Sequence, residues 1–240
     1  MGTPFVDIHT HSPKQSTGIL EVLNLKTLPG QLLPDGYYSY GVHPWQFDQA
    51  TDTNLELEKL EHALQDNKLA VIGETGLDRL HRHTLTAQLA SFEAHILLSE
   101  HYRKPLVIHL VKATGELLQL HKRHHPQQPW IIHGFNGNKE EVQQLLELDI
   151  CLSVGESILF PNRKINASLP SIPLDHLFLE TDTGKTPIED IYKSAASSLG
   201  VPLQTLKENV FTNFERLHLT PWKTGKNAPD GLSVTKELNG

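Results

Sequence analysis

Cysteine is almost absent: Cys151 stands alone among 240 residues, so no intrachain disulfide can form and the framework of a small oxidised domain is excluded. Long apolar runs are missing too. No window approaches the ~20 apolar residues that a membrane span needs, and the N-terminus has no basic stretch leading into such a run. Both absences make a soluble, cytoplasmic protein the expectation. Basic residues are in deficit, with 21 Lys and Arg against 28 Asp and Glu and a net charge of −7 when histidine is neutral. That balance argues against a broad cationic surface for long duplex nucleic acid, while leaving room for a metal site that binds phosphates locally. Internal repeats and an interdomain linker are also lacking. What is plentiful is histidine, with 15 residues, and their placement is informative.

Short apolar runs recur along the chain at 5–9, 19–25, 37–43, 69–74, 105–109, 130–134, 149–155 and 176–182, and each reads as a strand. Between most of them lie amphipathic helices. Leu57, Leu60 and Leu64 share a face over 53–65, where Thr53 and Glu56 have the spacing of a capping box. Leu85, Leu89, Phe92 and Ile96 repeat at three and four over 84–102, and leucine-rich segments near 115–124 and from Asn138 to 148 do the same. Over 187–199, Pro187 opens a helix and Gly200 follows its end. Strands alternating with helices predict an α/β fold with a parallel sheet, and eight nearly continuous apolar strands predict a closed barrel, an irregular TIM (β/α)8-type barrel. The irregularity is expected at the start, where about ten residues separate the first two runs, too few for a crossover helix. The barrel is expected over 1–220. The stretch 221–240 is rich in turn formers without periodicity, which predicts a loosely packed extension.

Strand side chains alternate with period two, so His9 and His11 in "FVDIHTH" point the same way. The ends of the other runs carry His43, Glu74, His109, His133 and Asp182. In an α/β barrel such ends converge on one rim. Five imidazoles and two carboxylates exceed what one four-coordinate ion needs, and two ions sharing a carboxylate would use them. The other ten histidines, His62, His95, His101 and His121 among them, fall mostly in predicted helices or connections and are expected at the surface.

The motifs "VDIHTH", "GVHPW", "VIGETGLD", "VIHLVKA", "IIHGFNGN", "LFLETD" and "NVFTNFERL" fall in the order found in TatD-like metal-dependent hydrolases, from about residue 4 to residue 218. The chain resembles that family. The resemblance implies an irregular TIM barrel of the amidohydrolase type and a metal-dependent hydrolase of phosphodiesters, with a 3'-5' exonuclease character on DNA. It implies two divalent ions, Mg, Mn or Zn. His9, His11 and Asp182 would hold one, His109 and His133 the other, and Glu74 would bridge them. His43 would lie beside the site and face substrate, and Asp182 would accept the proton of the attacking water. Glu180 is expected to orient a ligand, and Glu156 and Ser157 to cap a loop. Single-stranded or terminal DNA, or a small phosphodiester, would be the substrate, with no membrane and no obligate protein partner.

Two departures fall in substrate-facing loops. The family often reads H-x-R-D-A where this chain has His109, Leu110, Val111, Lys112 and Ala113, and "ETDTGKTP" brings Gly184 and Lys185 after Asp182. Lys112 or Lys185 is a candidate replacement for the missing arginine, and each also reads as a solvated loop lysine. Two other readings remain open from the sequence. One is an amidohydrolase-type or PHP-type hydrolase of a small ester, amide or phosphoester, which Glu74 disfavours because it stands where a carboxylated lysine often bridges. The other is a metal-stabilised barrel that binds nucleic acid or a partner without turnover.

Overall fold

The computed structural model describes residues 2–14, 16–29, 32–33, 35–48 and 52–219. The extension expected from residue 221 lies outside the described residues. All eight apolar runs form strands: β1 Phe5–Thr10, β2 Ile19–Asn24, β3 Tyr37–Tyr40, β4 Val71–Asp78, β5 Leu106–Val111, β6 Trp130–Ile132, β7 Cys151–Val154 and β8 Leu177–Leu179. They follow one another in the sheet in chain order, and the pairings β1–β2, β3–β4, β4–β5, β6–β7 and β7–β8 are parallel. This is the strand succession of an irregular TIM (β/α)8-type barrel. The irregularity falls where the short first connection predicts it: among the described residues no helix joins β1 to β2, and none joins β2 to β3. No helix among them is long and apolar enough to cross a membrane.

Contacts gather the chain into two compact units. The first contains residues up to 23 and 131–218. In it β8 leads back to β1, with the Asp182 N–H donating to His9 O at 2.9 Å and the His11 N–H to Asp182 O at 3.0 Å. Its helices are α4 Lys139–Leu146, α5 Ile165–Ser168, α6 Ile188–Leu199 and α7 Leu203–Arg216, numbered along the whole chain. Helix α4 opens at Asn138 as its sequence predicts. The Asn138 side chain accepts from Glu141 N at 2.9 Å and the Glu141 carboxylate accepts from Asn138 N at 2.9 Å, closing a capping box. Helix α6 stops at Gly200, whose φ of +67° continues the chain in the left-handed region without a Cβ clash. The hydroxyl of Tyr192 donates to Val6 O at 2.9 Å and accepts from Val6 N at 3.1 Å, fixing α6 against β1. Helix α7 is an addition to the sequence reading: Leu206, Val210 and Phe214, four residues apart, bury one face of it.

The second unit contains residues 24–130 and the helices α1 Thr53–Gln65, α2 Leu85–Tyr102 and α3 Thr114–His124. The cap of α1 departs from expectation. Asp52, not Thr53, is the N-cap, its carboxylate accepting from Asn54 N at 3.1 Å and Leu55 N at 3.2 Å, because an extended residue one step earlier can reach these unsatisfied N–H groups. Glu56, spared from capping, accepts from Lys59 at 2.7 Å and from the Tyr40 hydroxyl.

His95 corrects the expectation of surface histidines. It is wholly buried on α2, with Nε2 accepting from Val42 N at 3.0 Å and Nδ1 2.7 Å from Ser91 O. Both contacts are satisfied by the neutral Nδ1–H tautomer. Burial pulls its pKa down to about 4, and the hydrogen bond to Ser91 offsets only part of that. The unfolded chain therefore takes up this proton first as pH falls below the ordinary histidine range, and the stability held by neutral His95 declines from about pH 6.5 to about pH 4. Comparing urea unfolding at pH 7 and pH 5, wild type is expected to lose roughly 2 kcal/mol more than His95→Gln. Equal losses in the two proteins would show that His95 does not titrate in this way.

Candidate metal centre

In the first unit the alternation of β1 buries Val6 and Ile8 on one side and turns Asp7 and His9 to the other. His9, fully buried, has its Nε2 3.6 Å from Asp182 Oδ1, and His11 Nε2 lies 3.4 Å from the same oxygen. The His133 ring, one residue beyond β6, lies 4.5 Å from that of His9 between centroids. His9, His133 and Asp182 each present a ligand atom within 4.8 Å of the others. Asp182 itself occupies a left-handed turn, φ +49°, held from below by a buried polar network. Asp7 accepts from Thr181 N at 3.0 Å and from the Thr181 hydroxyl at 2.6 Å, and Thr10 Oγ1 lies 2.9 Å from that hydroxyl. Burial pushes Asp7 up to about 7, against the opposing pull of the Thr181 hydrogen bonds.

Glu180 is also fully buried. Its Oε1 accepts from Gly134 N at 2.6 Å and stands 3.5 Å from His133 Nδ1, so it fixes the start of the loop and the ring together. Glu156 packs against Gly184: a Cβ there would stand 2.3 Å from Glu156 Oε2 and 2.8 Å from Thr181 O. The glycine that departs from the family pattern thus makes room for a carboxylate and for the turn after Asp182. Cys151 offers no competing chemistry, because burial pushes its thiol up to about 12.

The second unit carries a trio of its own. Glu74 Oε1 lies 3.0 Å from His43 Nε2 and 3.0 Å from His109 Nδ1, with those two nitrogens 3.4 Å apart. His43 Nδ1 accepts from Trp45 N at 3.1 Å, which aims its Nε2 at Glu74. His43 therefore belongs to this trio, and His133 groups with His9 and Asp182. Glu74 is 6 % exposed and its backbone N–H is held at 3.1 Å by Asn24, whose side-chain oxygen also accepts from Ser39 at 3.0 Å.

The strand beneath is longer than the apolar run suggested. It continues from Glu74 through Gly76 to Asp78, all buried. Gly76 has φ +138°, and a Cβ on it would come within 2.2 Å of His109 O, so only glycine lets β4 and β5 approach this closely. Asp78 is the functional residue that the sequence reading passed over. Its Oδ2 accepts from Trp45 Nε1 at 2.8 Å and lies 3.5 Å from His109 Nε2, while Oδ1 accepts from Leu80 N at 2.9 Å. Burial alone would raise its pKa, but the hydrogen bonds from Trp45 and Leu80, with His109 nearby, hold the carboxyl below its ordinary range. One anion thus orients the His109 imidazole, a half-exposed indole and the following turn.

Neutral imidazole nitrogens grouped with a carboxylate oxygen suit a divalent ion, and both trios have that composition. A model of the family described as TatD related DNase matches residues 8–218. The chain belongs to that family. A metal-dependent hydrolase of Haemophilus influenzae, itself described as uncharacterized, is 29% identical over 166 residues, 65% of this chain and 63% of that protein. The 3'-5' ssDNA/RNA exonuclease TatD of Edwardsiella piscicida is 28% identical over 177 residues, 70% of this chain and 63% of the exonuclease. Each of these alignments therefore spans a little under two thirds of the relative's own length. The crystal structure of YjjV, a TatD homolog from Escherichia coli, shares the fold with a TM-score of 0.77 at 21% identity, over 90% of this chain and 98% of that one. Membership puts the TatD-like motifs in a structural frame: "VDIHTH", "IIHGFNGN" and "LFLETD" supply the first trio, and "GVHPW", "VIGETGLD" and "VIHLVKA" the second.

Proposed function

We propose that this member of the TatD-related family is a divalent-metal-dependent phosphodiesterase, acting as a 3'-5' exonuclease on single-stranded or terminal DNA. The observation that carries the reading is the pair of trios, His9, His133 and Asp182 in one unit and His43, Glu74 and His109 in the other, each joining imidazoles to one carboxylate. His11, 3.4 Å from Asp182, supplies a further nitrogen donor. Following the family assignment, two ions, Mg, Mn or Zn, would be held by these residues, Glu74 would be the carboxylate between them, and the protein works in the cytoplasm. Ions bound there would polarise a phosphoryl oxygen and lower the pKa of a bound water.

The chain's own groups do the rest. Asp182, 38 % exposed in its side chain, is placed to take a proton from water that enters from solvent. His43, 22 % exposed, turns Nε2 toward Glu74 on the substrate side, and the departing oxygen takes its proton from solvent water. Trp45, 50 % exposed and held through its N–H by Asp78, offers a fixed aromatic face to a base of the strand. Glu180 and Asp78 keep the imidazoles of His133 and His109 in their orientations.

The test is to assay metal-reconstituted protein side by side on bis(4-nitrophenyl) phosphate, an end-labelled single strand, a closed single-stranded circle and a lactone and amide panel. Expected is stepwise shortening of the linear strand from its 3' end, with the circle left intact. Turnover confined to lactones or amides would overturn the phosphodiesterase reading, and rapid cutting of the circle would overturn its exonuclease character.

A further inference from the structure

Directly after Asp78 the chain turns through Arg79–Thr84, and with Lys112 this turn lines a cavity of about 450 Å³ whose walls are Arg79, Leu80, Arg82, Leu85 and Lys112. That volume lies within the range of small-ligand sites. Three cations around one hollow are unexpected in a chain of net charge −7. Arg79 is matched by an ion pair with Glu116, and the nearby His81 and His83 are both taken by Asp48. The side chains of Arg82 and Lys112 make no hydrogen bond or ion pair with any described residue. Two uncompensated cations therefore face a cavity with leucine walls, and Leu80 is 63 % exposed.

Both cations are tied to the second trio by short covalent paths. Lys112 follows His109 by three residues at the exit of β5, a span of at most about 11 Å. Its left-handed backbone, φ +52°, turns the chain at that point. Arg82 lies four residues past Asp78, whose two oxygens hold Trp45 and the Leu80 N–H of the turn.

We propose that this cavity binds the nucleotide unit next to the scissile phosphodiester, with Arg82 and Lys112 on its phosphate and Leu80 and Leu85 against its sugar. The assignment rests on the phosphodiesterase reading of the neighbouring trio. It supplies, from Lys112 beside the H-x-R position and Arg82 in another loop, the charge that Val111 lacks, and it limits phosphate contacts outside the metal ions to one or two. An arginine contributes a planar fork and the lysine a point charge, a combination that grips a phosphate without reading a base.

The experiment compares wild type, the double variant Arg82→Gln with Lys112→Gln, and Lys122→Gln, which removes one exposed charge on α3, outside the cavity. Glutamine at 112 keeps the same backbone demand as lysine, so folding is preserved and is checked by thermal melting. Binding of fluorescein-labelled (dT)6 is measured by anisotropy across a salt series, with the protein metal-loaded and after chelation. The double variant is expected to bind at least tenfold more weakly and to lose about 1.4 from the salt slope, two contacts at about 0.7 each. Lys122→Gln is expected to stay within twofold of wild type. In turnover, the double variant's loss in kcat/KM on (dT)6, carried by KM, should exceed its loss on bis(4-nitrophenyl) phosphate at least tenfold.

Unchanged affinity and slope, or an equal loss in Lys122→Gln, would overturn the cavity assignment even if the wild type degrades DNA. The predicted binding losses without turnover of any phosphodiester would overturn the hydrolase reading and leave the cavity standing as a phosphate site.

Discussion

Replacing Glu74 by glutamine is expected to lower kcat on a phosphodiester by at least about a hundredfold while the fold is retained. The side chain is 6 % exposed and one of its oxygens meets both His43 Nε2 and His109 Nδ1 at 3.0 Å. Glutamine preserves the volume and an acceptor oxygen but removes the only negative charge of that trio. Two neutral imidazoles hold a divalent ion far less tightly than two imidazoles with a carboxylate. The backbone should not respond, because Glu74 N is held by Asn24 and the strand by Gly76 against β5, neither of which involves the carboxylate. Without metal the variant is expected to melt no lower than wild type, since a buried carboxylate is costly when nothing compensates it. Metal content, melting temperature and kcat measured on the same preparations separate these effects. Wild-type turnover with wild-type metal content would show that Glu74 neither binds nor shares an ion.

Much of this arrangement was legible because parallel barrel strands, buried on both faces, are written as continuous apolar runs. Where a run ended in a histidine, as at His9, His109 and His133, the candidate ligand and the strand exit are legible together. The fourth strand shows the limit. "VIGETGLD" loses its apolar character at Gly73, so the sequence reading closed the strand at Glu74, although Gly76 is there to let β5 approach and the strand runs on. Period-two alternation through Glu74, Gly76 and Asp78 was the available sign that Asp78 shares the face of Glu74. His95 was misplaced for a related reason. It lies beside Phe92 and Ile96 on a helix whose buried residues surround most of its circumference, so polarity alone assigned it to solvent. The cap on Asp52 and the basic cavity depend on carboxylate reach and on the convergence of residues 79–85 with 112, which no local pattern records.

The largest effect is expected from the metals themselves. Chelation should abolish turnover, and reconstitution should restore it with close to two ions per chain, because the two trios come from different strand exits and each has its own carboxylate. Asp182→Asn removes the only anion of the His9 and His133 trio while leaving His43, Glu74 and His109 in place, so the stoichiometry is expected to fall from two toward one. Its backbone position should survive, since an asparagine tolerates the left-handed φ of +49° found there. Stability reports the same event independently of activity. At free metal a hundredfold above Kd, each filled site adds about 2.7 kcal/mol, which for a domain of this size raises Tm by roughly 5–10 °C. Wild type should therefore gain about two such increments on loading and Asp182→Asn about one. Elemental analysis and melting curves over a titration of Zn, Mn and Mg provide both readouts. A stoichiometry fixed at zero or one for every metal, with full activity retained, would rule out the binuclear centre.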